Sequence, residues 1–354
     1  MTNHKSQIRI GILTAPHIEF EQKQDTFVLK NVRIGIGFHW DRHEDQEFAG
    51  TLEIRNNPDG TQTAINTIDL EDYLCSVISS EMNANSPMEL LKAHAVISRS
   101  WAMRAMQKPN HEGFDVCADD HCQRYEGLRR MNERAVEAVR ATKGQVLLYN
   151  DEICDCRYYK CCGGKTEIWR TCWEDIDVPY IQSVQCDWCN LTSHSKAVSH
   201  LTSILNDYDQ ETKDFRDWKV TYTAEELSEI VRTKSGIDFG EIMDLIPLHR
   251  GASGRIDSLR IVGTKRTETI GKELKIRLWL SKSCLYSSWF EVQKLPMTND
   301  KSQMSNQFTL IGHGWGHGAG LCQIGAAVMA SEGKPYEEIL QYYYRGAQLG
   351  QMTQ

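Results

Sequence analysis

No stretch of this 354-residue chain is long and apolar enough to cross a membrane as a helix, although 40% of its residues are apolar. A helical span is thereby excluded, and the apolar residues are left for cores; a chain of this length has room for two or three domains. An excess of basic charge is also missing. Lys and Arg number 40 against 48 Asp and Glu, a net charge of −8, and no basic run interleaves with aromatics, so nothing points to nucleic acid as a partner. Neither a low-complexity tract nor an internal repeat stands out. The N-terminus, MTNHKSQIRIGILTA, lacks the apolar core of a signal peptide: residues 2–7 are polar and the run Ile8 to Leu13 is too short. The chain is then a mature form, or is exported by another route, or stays inside.

What the sequence does have is concentrated at its C-terminal end. In GHGWGHGAGLCQIGAAVMASEG, residues 312–333, glycine recurs at every second position through Gly320 and alternates with His313, Trp315 and His317. Alternating glycines let a backbone approach another group closely, which suits a binding or catalytic loop as well as a tight strand or sheet crossing. FTLI before the glycines reads as a strand, and the residues after them as a helix ending at Gly333. Gly314, Gly316 and Ala319 mimic a dinucleotide fingerprint, but no βαβ unit follows and no Lys-Ser/Thr pair closes a triphosphate loop, so a nucleotide site is not expected.

A second loaded segment starts near residue 70. Ser86-Pro87-Met88-Glu89 carries the pattern of a capping box, and Leu90, Ala93, Ile97 and Trp101 recur at helical spacing, so a helix with an inward apolar stripe is expected to about Met106. Glu81 stands just upstream among Val77, Ile78 and Met82; a carboxyl in apolar surroundings has its pKa raised and can serve as a general acid. Farther on, His111, Cys117, His121 and Cys122 fall in HEGFDVCADDHC. The spacing fits no common finger, but imidazole and thiolate are the preferred ligands of zinc. Cys154, Cys156, Cys161, Cys162, Cys172, Cys186 and Cys189 crowd the next region, the last two as a C-x-x-C pair. Small buried thiols, a disulfide cluster and a second metal site are the three readings open for them.

The run LEDYLCSVISSEM…SPMELLKAHAVISRSWAM, the later CCGGKTE and the terminal GHGWGHGAGLCQIGAAVMASEGKPYEEILQYYYRG resemble, in that order, the stage II sporulation protein D family, which includes the amidase-enhancer proteins. The resemblance extends from about Ile8 to Leu349. It implies a peptidoglycan lytic transglycosylase whose catalytic glutamate is Glu81. It also implies a zinc site, expected to be structural, in which His111, Cys117 and Cys122 match the family's order of one histidine and two cysteines around HCQRY. His121, beside Cys122, is left as a contact in the active site. Tyr158, Tyr159, His313, His317 and Gln323 are the candidates for positioning sugar, and Trp315 for stacking on it. Where relatives commonly carry serines in an S-x-S-x-G-G-x-T pattern, this chain reads Lys160, Cys161, Cys162, Gly163, Gly164, Lys165, Thr166, a departure that affects any transfer of substrate contacts from this loop.

An α+β fold is expected, with mixed or antiparallel sheets, a capped helix carrying the active-site region and no doubly wound pattern. Residues 1–70 read as a β-rich region with a turn at Asn57-Pro58-Asp59-Gly60. Residues 71–186 read as the first part of a catalytic core, 187–265 as an inserted accessory lobe, and 266–354 as the rest of the core. Two functions stay open. One is an enzyme that cleaves the β-1,4 bond between N-acetylmuramic acid and N-acetylglucosamine in glycan strands. The other is a non-catalytic protein that binds cell-wall glycan or stimulates an N-acetylmuramoyl amidase. The substrate of the first implies the cell envelope or periplasm, an address the N-terminus does not supply.

Overall fold

The computed structural model describes residues 7–38, 41–82, 85–119, 121–189, 216–298 and 304–352. Residues 190–215, where the expected accessory lobe begins, lie outside the described residues. The helices found are α1 (Leu70–Glu81), α2 (Met88–Gln107), α3 (Glu133–Ala141), α4 (Trp169–Cys172), α5 (Ala224–Ser235), α6 (Glu273–Trp279), α7 (Gln323–Ser331) and α8 (Tyr336–Tyr343). With eighteen strands among the described residues, arranged in several small sheets, the chain is an α+β protein.

Ile8, Ile10 and Ile12 alternate along the strand Gln7–Ala15 and are buried, as a half-covered strand requires. Gln62–Asp69 pairs with it antiparallel and is reached from Thr51–Asn56 through the expected turn, where the Gly60 N–H donates to the Asn57 carbonyl at 3.1 Å. On the other edge the short strand Val116–Cys117 runs parallel, which makes this sheet mixed. A second, antiparallel sheet of Phe20–Gln22, Thr26–Ile34 and Arg42–Ala49 adds Phe27 and Phe48 to the same core.

The strand Gln62–Asp69 leads directly into α1, whose start is fixed by the Asp69 side chain accepting from the Glu71 N–H at 2.9 Å. Leu70, Tyr73, Leu74, Val77 and Ile78 turn inward, so the helix is seated along its length and delivers Glu81 at its C-terminal end. The expected stripe of α2 is buried, but so is nearly every residue from Leu90 to Met103, because α1, α3, α7, α8 and the strand Gln145–Tyr149 surround it. Its polar residues are accommodated by partners: Arg99 makes a forked bond to Glu71 at 2.8 and 2.7 Å. The expected capping box at Ser86 does not form. Pro87 occupies the cap position, the Ser86 hydroxyl is buried without a hydrogen bond, and Glu89 instead pairs with Lys92 and accepts from the Tyr336 N–H.

A second hydrophobic core gathers Trp218, Leu227, Val231, Leu245, Ile261 and Phe308 among others. It is built by α5, α6 and two antiparallel sheets, Asp217–Thr223 with Met304–His313 and Phe290–Thr298, and Ile242–Arg250 with Ile256–Gly263 and Thr267–Ile270. The strand Met304–His313 leaves this second core and continues as the glycine loop into α7 in the first.

Candidate active site and metal centre

At the end of α1, Glu81 Oε1 accepts from the Tyr158 hydroxyl at 2.9 Å and from the Arg124 backbone N–H at 3.1 Å. Burial raises its pKa above the ordinary carboxylate value, against the lowering effect of these two donors and of the charges on Arg124 and Lys160. The C-terminal end of a helix, where the backbone carbonyls point, further disfavours a carboxylate. The Arg124 guanidinium turns away to the buried Glu126 at 2.6 Å, which leaves its N–H to meet Glu81. Among the described residues, Glu81 is the carboxyl here that is partly desolvated and aimed by two donors, a state suited to giving up and retaking a proton.

Tyr158 comes from the short strand Tyr158–Tyr159, which pairs parallel with Leu321–Cys322 at the end of the glycine loop. That pairing brings residue 323 to the same cluster as residue 81. Gln323 Nε2 donates to His94 Nε2 at 3.1 Å, which leaves the imidazole proton on Nδ1 toward the Ser98 hydroxyl at 3.2 Å. The His94 ring in turn packs edge-on against Tyr158, with centroids 4.3 Å apart. Burial lowers the His94 pKa to about 3, so this ring is neutral and acts as a fixed wedge behind Tyr158.

The alternating glycines make room for the chain itself. Gly316 has φ 96°, and a Cβ there would lie 2.7 Å from Tyr159 Cβ; at Gly320, with φ 88°, it would lie 2.0 Å from the Arg157 carbonyl oxygen. Gly314, Gly316 and Gly320 thus let the loop lie against residues 157–162, while Gly312 and Gly318 make room for the side chains of Trp218 and Arg255. His317 is likewise committed to the backbone, donating from Nε2 to the Tyr158 carbonyl at 3.0 Å and accepting at Nδ1 from the Ala319 N–H at 3.1 Å. Tyr159 is buried, with its hydroxyl lacking a hydrogen bond, and Trp315 is buried against Tyr286 rather than free to stack on a sugar. His313 sits at the second core, bonded to Asp217 at 2.6 Å and packed on Trp289. Of the five sugar-positioning candidates, Tyr158 alone touches Glu81, while Gln323 and His317 support it from behind.

The histidine and cysteine cluster assembles. The donor atoms of His111, Cys117, His121 and Cys122 all lie within 4.8 Å of one another. His111 Nε2 is 3.2 Å from Cys122 Sγ, and His121 Nδ1 is 3.8 Å and 3.6 Å from Cys117 Sγ and Cys122 Sγ. Ligand distances of about 2.0–2.3 Å in a tetrahedron require donor separations of about 3.3–3.8 Å, so the set fits one zinc ion. The Cys117 thiol is pulled well below its ordinary value, chiefly by the Cys122 thiol donating to its sulfur and then by His121, which favours a thiolate at Cys117. His121, expected as an active-site contact, turns its Nδ1 toward both sulfurs and so joins the candidate ligand set. Cys117 is placed by its strand beside Gly11, and Cys122 lies two residues before the Arg124 N–H that holds Glu81.

Residues 58–149 match the family model of the stage II sporulation protein, a span that includes Glu81, His94 and the four metal-ligating candidates, and residues 167–320 match that of a domain of unknown function (DUF8618). Stage II sporulation protein D of Bacillus subtilis (strain 168) is 26% identical over 305 residues, which is 81% of this chain and 76% of that protein. An uncharacterized protein of Brachyspira hyodysenteriae is 28% identical over 304 residues, 86% of this chain and 72% of its own. The amidase enhancer of Bacillus subtilis is 26% identical over 307 residues, 78% of this chain but 40% of the enhancer. Residues 58–149 thus match the family's domain, and over about four fifths of its length the chain is similar to stage II sporulation protein D and to the amidase enhancer.

Sequence reasoning missed His94, Arg124 and the place of His121 in the histidine and cysteine cluster. An isolated histidine inside the apolar run of α2 gives no signal of its own. Arg124 acts through its backbone, which sequence does not display. The one available clue was position: HCQRY ends the histidine and cysteine segment, so whatever fixes the cysteines also fixes the residues after them.

Proposed function

We propose that this protein is a peptidoglycan lytic transglycosylase in which Glu81 acts as general acid and then general base. The observation that carries the reading is the single partly desolvated carboxyl held by the Tyr158 hydroxyl and the Arg124 N–H. Ordinary glycosidases need a second carboxylate to activate water or attack the sugar. A lytic transglycosylase does not, because the C6 hydroxyl of N-acetylmuramic acid attacks its own anomeric carbon. Protonated Glu81 gives its proton to the glycosidic oxygen as the bond to C1 breaks. The resulting carboxylate takes the proton of the C6 hydroxyl as the new C6–O–C1 bond closes, which leaves a 1,6-anhydro end and regenerates the acid. Tyr158 and Arg124 steady the carboxylate between the steps.

In the same reading His111, Cys117, His121 and Cys122 hold a zinc ion whose role is to fix the loop from Cys117 to Arg124. Zinc there supplies cross-linking strength rather than a chemical step. A second reading, a protein that assists a cell-wall amidase without cutting glycan, is supported by the similarity to an amidase enhancer. Incubation of purified protein with glycan strands, followed by mass spectrometry, separates them: anhydromuramyl ends support the enzyme, and intact strands support the assisting role.

A further inference from the structure

Outside the site already described, three more sulfurs converge. Cys162, Cys186 and Cys322 are fully buried, and their Sγ atoms lie within 4.8 Å of one another, although they come from three segments far apart in the chain. Buried thiols are often no more than small hydrophobes, and such thiols attract few hydrogen-bond donors. These attract several. Cys322 Sγ accepts from the Cys162 N–H at 3.3 Å and from the Gly325 N–H at 3.4 Å, Cys162 Sγ accepts from the Gly164 N–H at 3.3 Å, and Cys186 Sγ is 3.3 Å from the Tyr343 hydroxyl. Cys322 is also the N-cap of α7, where the positive end of the helix favours a thiolate.

We infer that Cys162, Cys186 and Cys322 form a second metal site that binds one thiophilic divalent ion, zinc or its substitute cobalt, through three thiolates. Three sulfurs on one tetrahedral ion stand about 3.8 Å apart for bonds of about 2.3 Å. A multinuclear iron–sulfur cluster would spread them farther, because its cysteines bind different irons. Binding releases the thiol protons to solvent, and the backbone N–H groups already aimed at the sulfurs stabilise the charge that remains. The ion would clamp the CCGGKT segment to the start of α7, and so fix the paired strands that carry Tyr158 and lead to Gln323.

The test uses the full chain in a Cys117→Ser, Cys122→Ser background, which strips the first site. Reduced protein is loaded with cobalt(II), and bound metal and the near-ultraviolet thiolate-to-cobalt absorption are measured. One cobalt per chain with strong thiolate absorption is expected, and adding Cys322→Ser should abolish both. That serine still caps α7 through its hydroxyl, so the fold is kept; Cys162→Ser in the same background provides the second variant. Cobalt binding unchanged by both substitutions, or no binding by a background protein that circular dichroism shows to be folded, would overturn the site. Recovery of a disulfide between any two of these cysteines from protein isolated without oxidant would overturn it as well.

Discussion

Replacing Glu81 with Gln separates chemistry from structure at the centre of this site. The amide oxygen can still accept from the Tyr158 hydroxyl and the Arg124 N–H, the two bonds now made by Glu81 Oε1, so the local geometry should persist. What the amide cannot do is give and retake a proton. Loss of general acid–base catalysis is worth roughly 10²–10⁴-fold, or about 3–5 kcal/mol in the barrier. Stability should move the other way. Burial raises the folded-state pKa of Glu81 above its unfolded value, so the folded state binds the proton more tightly, and stability falls as pH rises from the ordinary carboxylate range through the raised pKa. Glu81→Gln removes that loss. The variant should therefore be at least as stable as the parent at pH 7, by about 1.4 kcal/mol for each unit of upward shift, and the difference should shrink toward pH 4. Glycan cleavage followed by mass spectrometry, together with thermal melts across pH 4–8, reads both effects. Retention of more than about a tenth of the parent activity would remove Glu81 from the role. A variant that becomes less stable relative to the parent as pH rises would refute the burial argument.

Three further outcomes follow from the same geometry. Tyr158→Phe removes a donor that lowers the Glu81 pKa, so the alkaline limb of the activity profile should move to higher pH while activity drops, and a pH–rate profile with an unmoved limb would contradict this. Cys117→Ser and His121→Ala should each reduce the zinc bound at the first site, measured by elemental analysis, and lower the melting temperature; a His121→Ala protein with full zinc affinity would return the site to three ligands. Arg99→Met strips the partner from Glu71 in the forked pair behind α1 and should cost about 3 kcal/mol in denaturant unfolding, whereas a change below about 1 kcal/mol would mean that the pair is solvated.

How far the sequence could be read follows from which physics each residue obeys. The β-rich character of residues 1–70 was legible because apolar residues alternate along strands such as Gln7–Ala15, and the helix from Met88 because its apolar stripe recurs at helical spacing, even though nearly all of it to Met103 is buried. Glu81 was legible only as a carboxyl among apolar neighbours upstream of that helix; that it ends a helix of its own, α1, was not read. The start of α2 was misread because Ser86 and Glu89 have a capping pattern, while Glu89 is drawn away by Lys92 and by the Tyr336 N–H, a contact across 247 residues that no local rule contains. His121 was set aside because adjacent side chains diverge in regular structure. Its backbone lies outside helix and strand, and there neighbours can converge on one point. The glycines were taken as a place of close approach, but sequence does not say what approaches: for Gly314, Gly316 and Gly320 it is the segment from Arg157 to Cys162, and for Gly312 and Gly318 it is Trp218 and Arg255.

The central claim, that one carboxyl suffices because the substrate's own hydroxyl is the nucleophile, is tested most directly by digesting glycan strands with the wild-type protein in water enriched in heavy oxygen. The account predicts new 1,6-anhydromuramyl ends that carry no label and are absent from the Glu81→Gln digest. Reducing ends that carry heavy oxygen would mean that water attacks the anomeric carbon, which a lone Glu81 cannot arrange in this way, and the mechanism proposed here would be wrong.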